Sequence, residues 1–398
     1  MTQPAQSGNR IHSIDLLRGI VMVIMALDHV RDYFHNLSFV PHHDPLDLNS
    51  TTPSLYFTRW VTHFCAPVFV LLSGTSAYLA GLKKTKAELS VFLIKRGLWL
   101  IFVELAIITL AWTFNPFYNL FILQVIWAIG ISMVFLGIFV RLPYKIILIS
   151  GLLILFFHNL LDYPEAQRNN QVGFFWDLIH DGFFKLYPIS KGHNLMMVYP
   201  FLPWTGIMLL GYGMGRLYEP TMDYLKRRKV LLYAGLAMIL FFVLLRWTDS
   251  YGDPSVWKTQ RSGLFTFLSF MNVTKYPPSL LYACATLGPA LIFLAFSEKI
   301  NTPLARVFQV YGKVPFFYYV THLFLIHLIC VAVFFLRGYG LDRIVDKNIP
   351  FLFRPLGFGF NLGGVYLIWL LVIVLLYPLC KWYGRYKATH RYWWLSYM

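Results

Sequence analysis

Charge is scarce in this chain. Only 13% of its 398 residues are Asp, Glu, Lys or Arg, against about 25% in a soluble domain, while 58% are hydrophobic and 18% aromatic. That shortage excludes an ordinary soluble enzyme and predicts a polytopic membrane protein. Negative charge is the scarcer sign, with 18 acidic against 34 basic residues, so a nucleic-acid partner has to be weighed against membrane topology. Cysteine is scarce too. Cys65, Cys284, Cys330 and Cys380 all fall in apolar stretches, at spacings of neither a zinc site nor a disulfide framework. The first apolar stretch carries Asp15 and Arg18 with no small-residue cleavage site behind it, which reads as a retained helix and not a signal peptide. Repeats, low-complexity tracts and an appended soluble domain are not visible. Residues 1–398 therefore read as one integral-membrane domain with a core at about 10–383.

Long apolar runs are abundant. Ten have roughly the 18–23 residues that a spanning helix needs: about 14–34, 57–82, 93–113, 121–140, 144–161, 198–217, 230–247, 279–297, 314–336 and 361–383. The expected fold is all-α, a bundle of about ten transmembrane helices, with longer links at 35–56, 162–197, 248–278 and 337–360. With the N-terminus placed in the cytoplasm, the cytoplasmic segments hold 20 basic residues, from Arg10 to Arg391, and five acidic ones. Setting Arg18, Asp28 and Glu104 aside as intramembrane leaves 13 basic and 11 acidic residues outside. The resulting excess of +15 inside and +2 outside is what the positive-inside rule demands. Both termini are thus expected in the cytoplasm, and the basic balance reports orientation, not nucleic acid. The loop at 162–197 holds Phe174, Phe175, Trp176, Phe183 and Phe184. It reads either as an interfacial or re-entrant cover over a site or as part of an aromatic belt.

Arg18 and His29 share the first apolar run with ten residues between them. Eleven helical steps total about 1100°, three turns plus about 20°, so both side chains leave one face roughly 16 Å apart along the axis. An ionisable residue inside a membrane helix is costly and marks a functional site by default. The structural alternative has Arg18 reaching the headgroups and His29 at the outer boundary. Imidazole accepts a proton near neutral pH, which makes His29 a candidate general base, with Asp32 at i+3 to orient it. Asp28 and Arg31 are spaced to pair. His63 stands four residues after Arg59 and four before Pro67, whose ring frees a backbone carbonyl and bends the helix. Cys65 leaves a different face, which argues against a Cys–His pair. Tyr318, Tyr319, Thr321 and His322 form a polar cluster that should face the bundle interior. His63 and His322 are therefore rivals to His29, while His327, about 140° from His322, is assigned to packing or the interface. Glu104 has no neighbour in sequence, and a salt bridge to Arg18 is one option for it. Gly211-x-x-x-Gly215 is a close-packing signal.

Ser13-Ile-Asp-Leu-Leu-Arg18-Gly-Ile20 followed by His29, and Pro67-Val-Phe-Val-Leu-Leu-Ser-Gly74, resemble the first two helices of transmembrane acyltransferases. These include the acyltransferase-3 group and the catalytic domain of heparan-α-glucosaminide N-acetyltransferase. The segment from Tyr199 to Gly215 and Thr274-Lys-Tyr-Pro-Pro-Ser279 resemble bacterial relatives of the heparan enzyme. The heparan enzyme carries asparagine where this chain has His29, and its important histidine falls a little later, where only His35, His42 and His43 are nearby. The resemblance implies an acyl-CoA co-substrate, acetyl-CoA foremost, used on the cytoplasmic side. The acyl group would pass through the bundle to a hydroxyl or amine of an extracytoplasmic sugar or glycolipid. It further implies catalytic roles among His29, Arg18, His322 and His63, and acyl-CoA contacts at Arg18, Lys275 and Tyr276. No metal is expected. The expected setting is the cell membrane, the inner one if the source is bacterial, with the bilayer as partner and a homodimer compatible. The competing reading is a transporter or flippase for a polar or lipid-linked solute, a class that often shows internal repeats, and none is visible here.

Overall fold

The computed structural model describes residues 11–390 except 170 and 348, together with Tyr392 and Leu395. Arg10, Arg391 and both chain ends, which enter the charge count, lie outside the described residues. The principal helices are α1 (His12–Phe34), α2 (Pro53–Gly81), α3 (86–113), α4 (Val125–Phe139), α5 (Tyr144–Gln167), α6 (Phe201–Gly215), α7 (Tyr224–Thr248), α8 (Gly263–Met271), α9 (Leu280–Ser297), α10 (Pro303–Gly312), α11 (Pro315–Leu336) and α12 (Leu362–Thr389). Each of the ten apolar runs lies mainly on one of these helices. Among the described residues, α2, α5, α7, α9, α11 and α12 are long and apolar enough to cross a membrane. The chain is a mostly helical, multi-pass membrane protein.

Local chemistry sets the helix starts. Thr52 caps α2 just ahead of Pro53, and Thr85 with Glu88 forms a reciprocal capping box on α3, satisfying backbone N–H groups that have no partner inside the helix. Ser279 and Asn361 cap α9 and α12 in the same way. Burial then sorts the helices. The apolar window of α9 is 72% buried and that of α12 only 17%. The outward faces of α7 and α12 carry exposed Leu240, Leu244, Leu367 and Val374, as a hydrocarbon solvent allows.

Two close approaches lock the bundle. A Cβ on Gly74 would lie 2.1 Å from the Met208 carbonyl oxygen, and one on Gly211 2.1 Å from that of Leu71, so α2 and α6 meet backbone to backbone. Gly215 lies against Tyr78 of the same helix pair; the Gly-x-x-x-Gly spacing is a packing device, as its small residues predict. On the other side, Gly19 of α1 meets the Phe308 carbonyl and Gly312 of α10 meets that of Asp15, each at 1.9 Å for an added Cβ.

The fold departs from an all-α bundle in a small sheet on the loops. β1 (Leu120–Leu123), β2 (Lys185–Ser190) and β3 (His193–Met197) form a small sheet in the order β1-β3-β2, with β1 parallel and β2 antiparallel to β3. The start of the 121–140 run is thus strand, because β3 offers backbone partners that a four-residue apolar segment takes before α4 begins; a short apolar run alone cannot tell strand from helix. The 162–197 loop contains a short helical stretch at 174–181 and the β2–β3 hairpin. The short helices α8 and α10 lie in links between the ten apolar runs; at 9 and 10 residues they escape any search for spanning runs.

Candidate active site

α1 and α11 cross in the interior and bring His29 against His322. His29 Nδ1 lies 2.7 Å from His322 Nε2, and the rings stack with centroids 4.9 Å apart. Nδ1 of His322 lies 3.0 Å from the Tyr318 carbonyl oxygen. A carbonyl only accepts, so this nitrogen carries the proton. In a neutral ring Nε2 then holds the lone pair and accepts from Nδ1–H of His29. The consequence falls on the far side of His29, where Nε2 is left as a proton acceptor. The two histidines that spacing sets as rivals are therefore one unit, in which His322 fixes the tautomer of His29. Trp112 of α3 and Tyr319 of α11 turn their rings edge-on to His29, at 4.8 and 6.4 Å between centroids.

On one side of this pair lies a cavity of about 300 Å³. Arg18, Arg96, Lys313 and Lys387 line it, and Met22, Phe69 and Tyr319 are among its apolar walls. Arg18 and Lys313 stand near the starts of α1 and α11 and Lys387 near the end of α12, so three helices bring cations to one end. Arg18 is held there by Ser76 Oγ at 3.1 Å and by the Gly312 carbonyl and Asp15 at 3.4 Å. Met22 is two turns, about 10 Å, short of His29 on α1, and Tyr319 is one turn from His322. Tyr319 thus belongs to both the cavity and the surroundings of His29. Charge counting had treated Arg96, Lys313 and Lys387 as orientation signals; their convergence needs the tertiary fold.

The other end of α1 is an ion-pair cluster. Asp28 bonds Arg31 at 2.9 Å and Arg59 at 2.8 Å, and Asp32 bonds Arg31 at 2.6 Å. Asp32 therefore does not orient His29: a buried guanidinium one residue away claims its carboxylate, since buried charges persist only when paired. Lys275 and Tyr276 belong to this end. Lys275 lies over the Tyr276 ring, the Tyr276 hydroxyl bonds that of Tyr199 at 3.4 Å, and Phe183 of the 162–197 loop stacks on Tyr276 at 4.8 Å. Burial pushes the Tyr276 phenol up, but Lys275 and Arg59 outweigh it and hold it below the ordinary tyrosine range, which strengthens it as a donor. The structure does not bring Lys275 and Tyr276 to the cavity that Arg18 lines.

His63 is buried, edge-on to Tyr282, with neither ring nitrogen hydrogen-bonded. Its backbone carbonyl, the one Pro67 leaves free, accepts from the Tyr282 hydroxyl at 2.7 Å. His327 packs against Phe114 and bonds the Ala111 and Leu352 carbonyls. Glu104 does not pair with Arg18. It accepts from the Trp127 backbone N–H at 2.8 Å, because the first turn of α4 offers unsatisfied donors and a favourable dipole to a carboxylate. The four cysteines are buried and free. Away from the His29–His322 pair, Asp162, Glu165 and His180 bring ligand-type atoms within 4.8 Å of one another, a set that could hold a metal ion and that no sequence spacing announces.

No curated protein matches the chain. Residues 10–248 match the family described as heparan-alpha-glucosaminide N-acetyltransferase, catalytic. That segment runs from α1 to the end of α7 and includes Arg18, His29 and His63, while His322, Lys275 and Tyr276 lie beyond it. With more than half of its length matched, the chain belongs to the heparan-α-glucosaminide N-acetyltransferase catalytic family.

Proposed function

We propose that this protein is a membrane acyltransferase that moves an acetyl group from cytoplasmic acetyl-CoA, or a related acyl-CoA, to a hydroxyl or amine of an extracytoplasmic sugar or glycolipid. The observation that carries this reading is the His29–His322 pair beside a cavity whose far end is ringed by cations. Phosphates of coenzyme A bind Arg18, Arg96, Lys313 and Lys387, and the thioester arm runs along the apolar wall toward Tyr319. The acceptor arrives from the Asp28–Arg59–Tyr276 end. Lys275 and Tyr276 then serve the acceptor and not the coenzyme. His29 Nε2 takes the acceptor proton as its oxygen or nitrogen bonds to the thioester carbonyl carbon. The carbonyl pair shifts to oxygen and returns to expel the CoA thiolate, which takes the proton back from His29. The products are the acylated sugar and CoA–SH. The reading places ten crossings in the membrane, with the Arg18 end cytoplasmic.

Purified protein in nanodiscs, given radiolabelled acetyl-CoA and an envelope glycolipid and glycan fraction, should label a sugar product. Absence of both acetyl transfer and acetyl-CoA binding would contradict the proposal and favour a solute transporter.

A further inference from the structure

Trp112 Nε1 and the Tyr319 hydroxyl are buried polar groups with no hydrogen-bond partner other than each other. Their residues are 3% and 4% exposed. A buried donor left short of acceptors is costly, so this pair on the rim of one histidine calls for a ligand. Both rings meet His29 in T-shaped contacts and the two side chains touch one another, so the two donors lie together on the rim of that histidine. Neither can easily turn away. Trp112 packs in one cluster with Tyr33 and Phe351, at 5.7 and 5.3 Å between centroids, and the Tyr33 hydroxyl donates to its backbone carbonyl. Tyr319 packs against the rings of both His29 and His322 and lines the cavity. We infer that Trp112 Nε1 and the Tyr319 hydroxyl form the oxyanion hole of the transfer, donating to the thioester carbonyl oxygen as it takes up negative charge.

This rests on the acyltransferase reading and names the groups that complete it. Fixed donors in a dry site act where charge develops, and losing one such donor costs about 10²–10³-fold in kcat. The test is steady-state transfer by wild type, Tyr319→Phe and Trp112→Phe in nanodiscs, with acetyl-CoA affinity and thermal unfolding measured on the same samples. The expected result is a kcat about 100-fold lower in each variant, with acetyl-CoA affinity within about twofold and the pH profile of kcat unmoved. Tyr319→Phe keeps the ring and its packing, so it decides the matter even if Trp112→Phe fails to fold. Wild-type kcat in Tyr319→Phe, or a loss that follows weakened acetyl-CoA binding, would overturn the oxyanion hole while leaving the acyltransferase intact. A wild type that transfers nothing would overturn both.

Discussion

At the scale of single residues, the chemistry turns on which nitrogen of which histidine is free. The Tyr318 carbonyl sets the tautomer of His322, and His322 sets that of His29. On the acyltransferase reading His322 is a positioning residue, and His322→Ala is expected to lower kcat about 10–100-fold while acetyl-CoA binding holds. The double variant with His29→Ala should be no worse than His29→Ala alone, because residues that act as a unit are not additive. A double variant that loses the product of the two single effects would show that they act separately. Glu104 makes a second residue-scale prediction. Glu104→Gln keeps an oxygen for the Trp127 N–H, whereas Glu104→Leu strands buried backbone donors at a cost of roughly 1–3 kcal/mol. Thermal unfolding should drop clearly for Glu104→Leu and little for Glu104→Gln.

At the scale of elements, the legible part was whatever a period or a length can carry. Helical spacing puts Arg18 and His29 on one side of α1, and the ten apolar runs fall on helices, six of them long and apolar enough to cross a membrane among the described residues. Pairings between segments left no such trace. His29 with His322, Asp28 with Arg59 and Glu104 with the start of α4 join residues 293, 31 and 23 positions apart. The β1–β3 pairing was hidden for a related reason, since Leu120–Leu123 is as apolar as the helix that follows. The contact of α2 with α6 was half legible: Gly211 and Gly215 announced a close approach, and Gly74 is its other face. Gly211→Leu should therefore abolish monodisperse protein on size-exclusion chromatography, since the added Cβ meets the Leu71 carbonyl at 2.1 Å. Substituting exposed Leu240 of α7 by Ala should leave the elution profile unchanged.

At the scale of the whole molecule, charge asymmetry and the site must agree on direction. On the proposed reading, the cations that line the cavity are on the side the positive-inside rule assigns to the cytoplasm, from which acyl-CoA would enter. The ion-pair cluster lies at the other end, with Tyr276, on which Phe183 of the 162–197 loop stacks. Topology reporters fused after residue 398 and within 162–197 should give opposite signals, and like signals would break this arrangement. Arg18→Ala should weaken acetyl-CoA binding by roughly 10–100-fold in calorimetry, the value of a charge-assisted contact. Unchanged affinity would move the coenzyme elsewhere. The central claim is that His29 is the base between these two ends, and the most direct measurement is acetyl transfer by His29→Ala protein that still binds acetyl-CoA. The account predicts a rate about 10²–10⁴-fold below wild type with acetyl-CoA affinity retained; near-wild-type turnover in His29→Ala, with loss in His63→Ala instead, would contradict it.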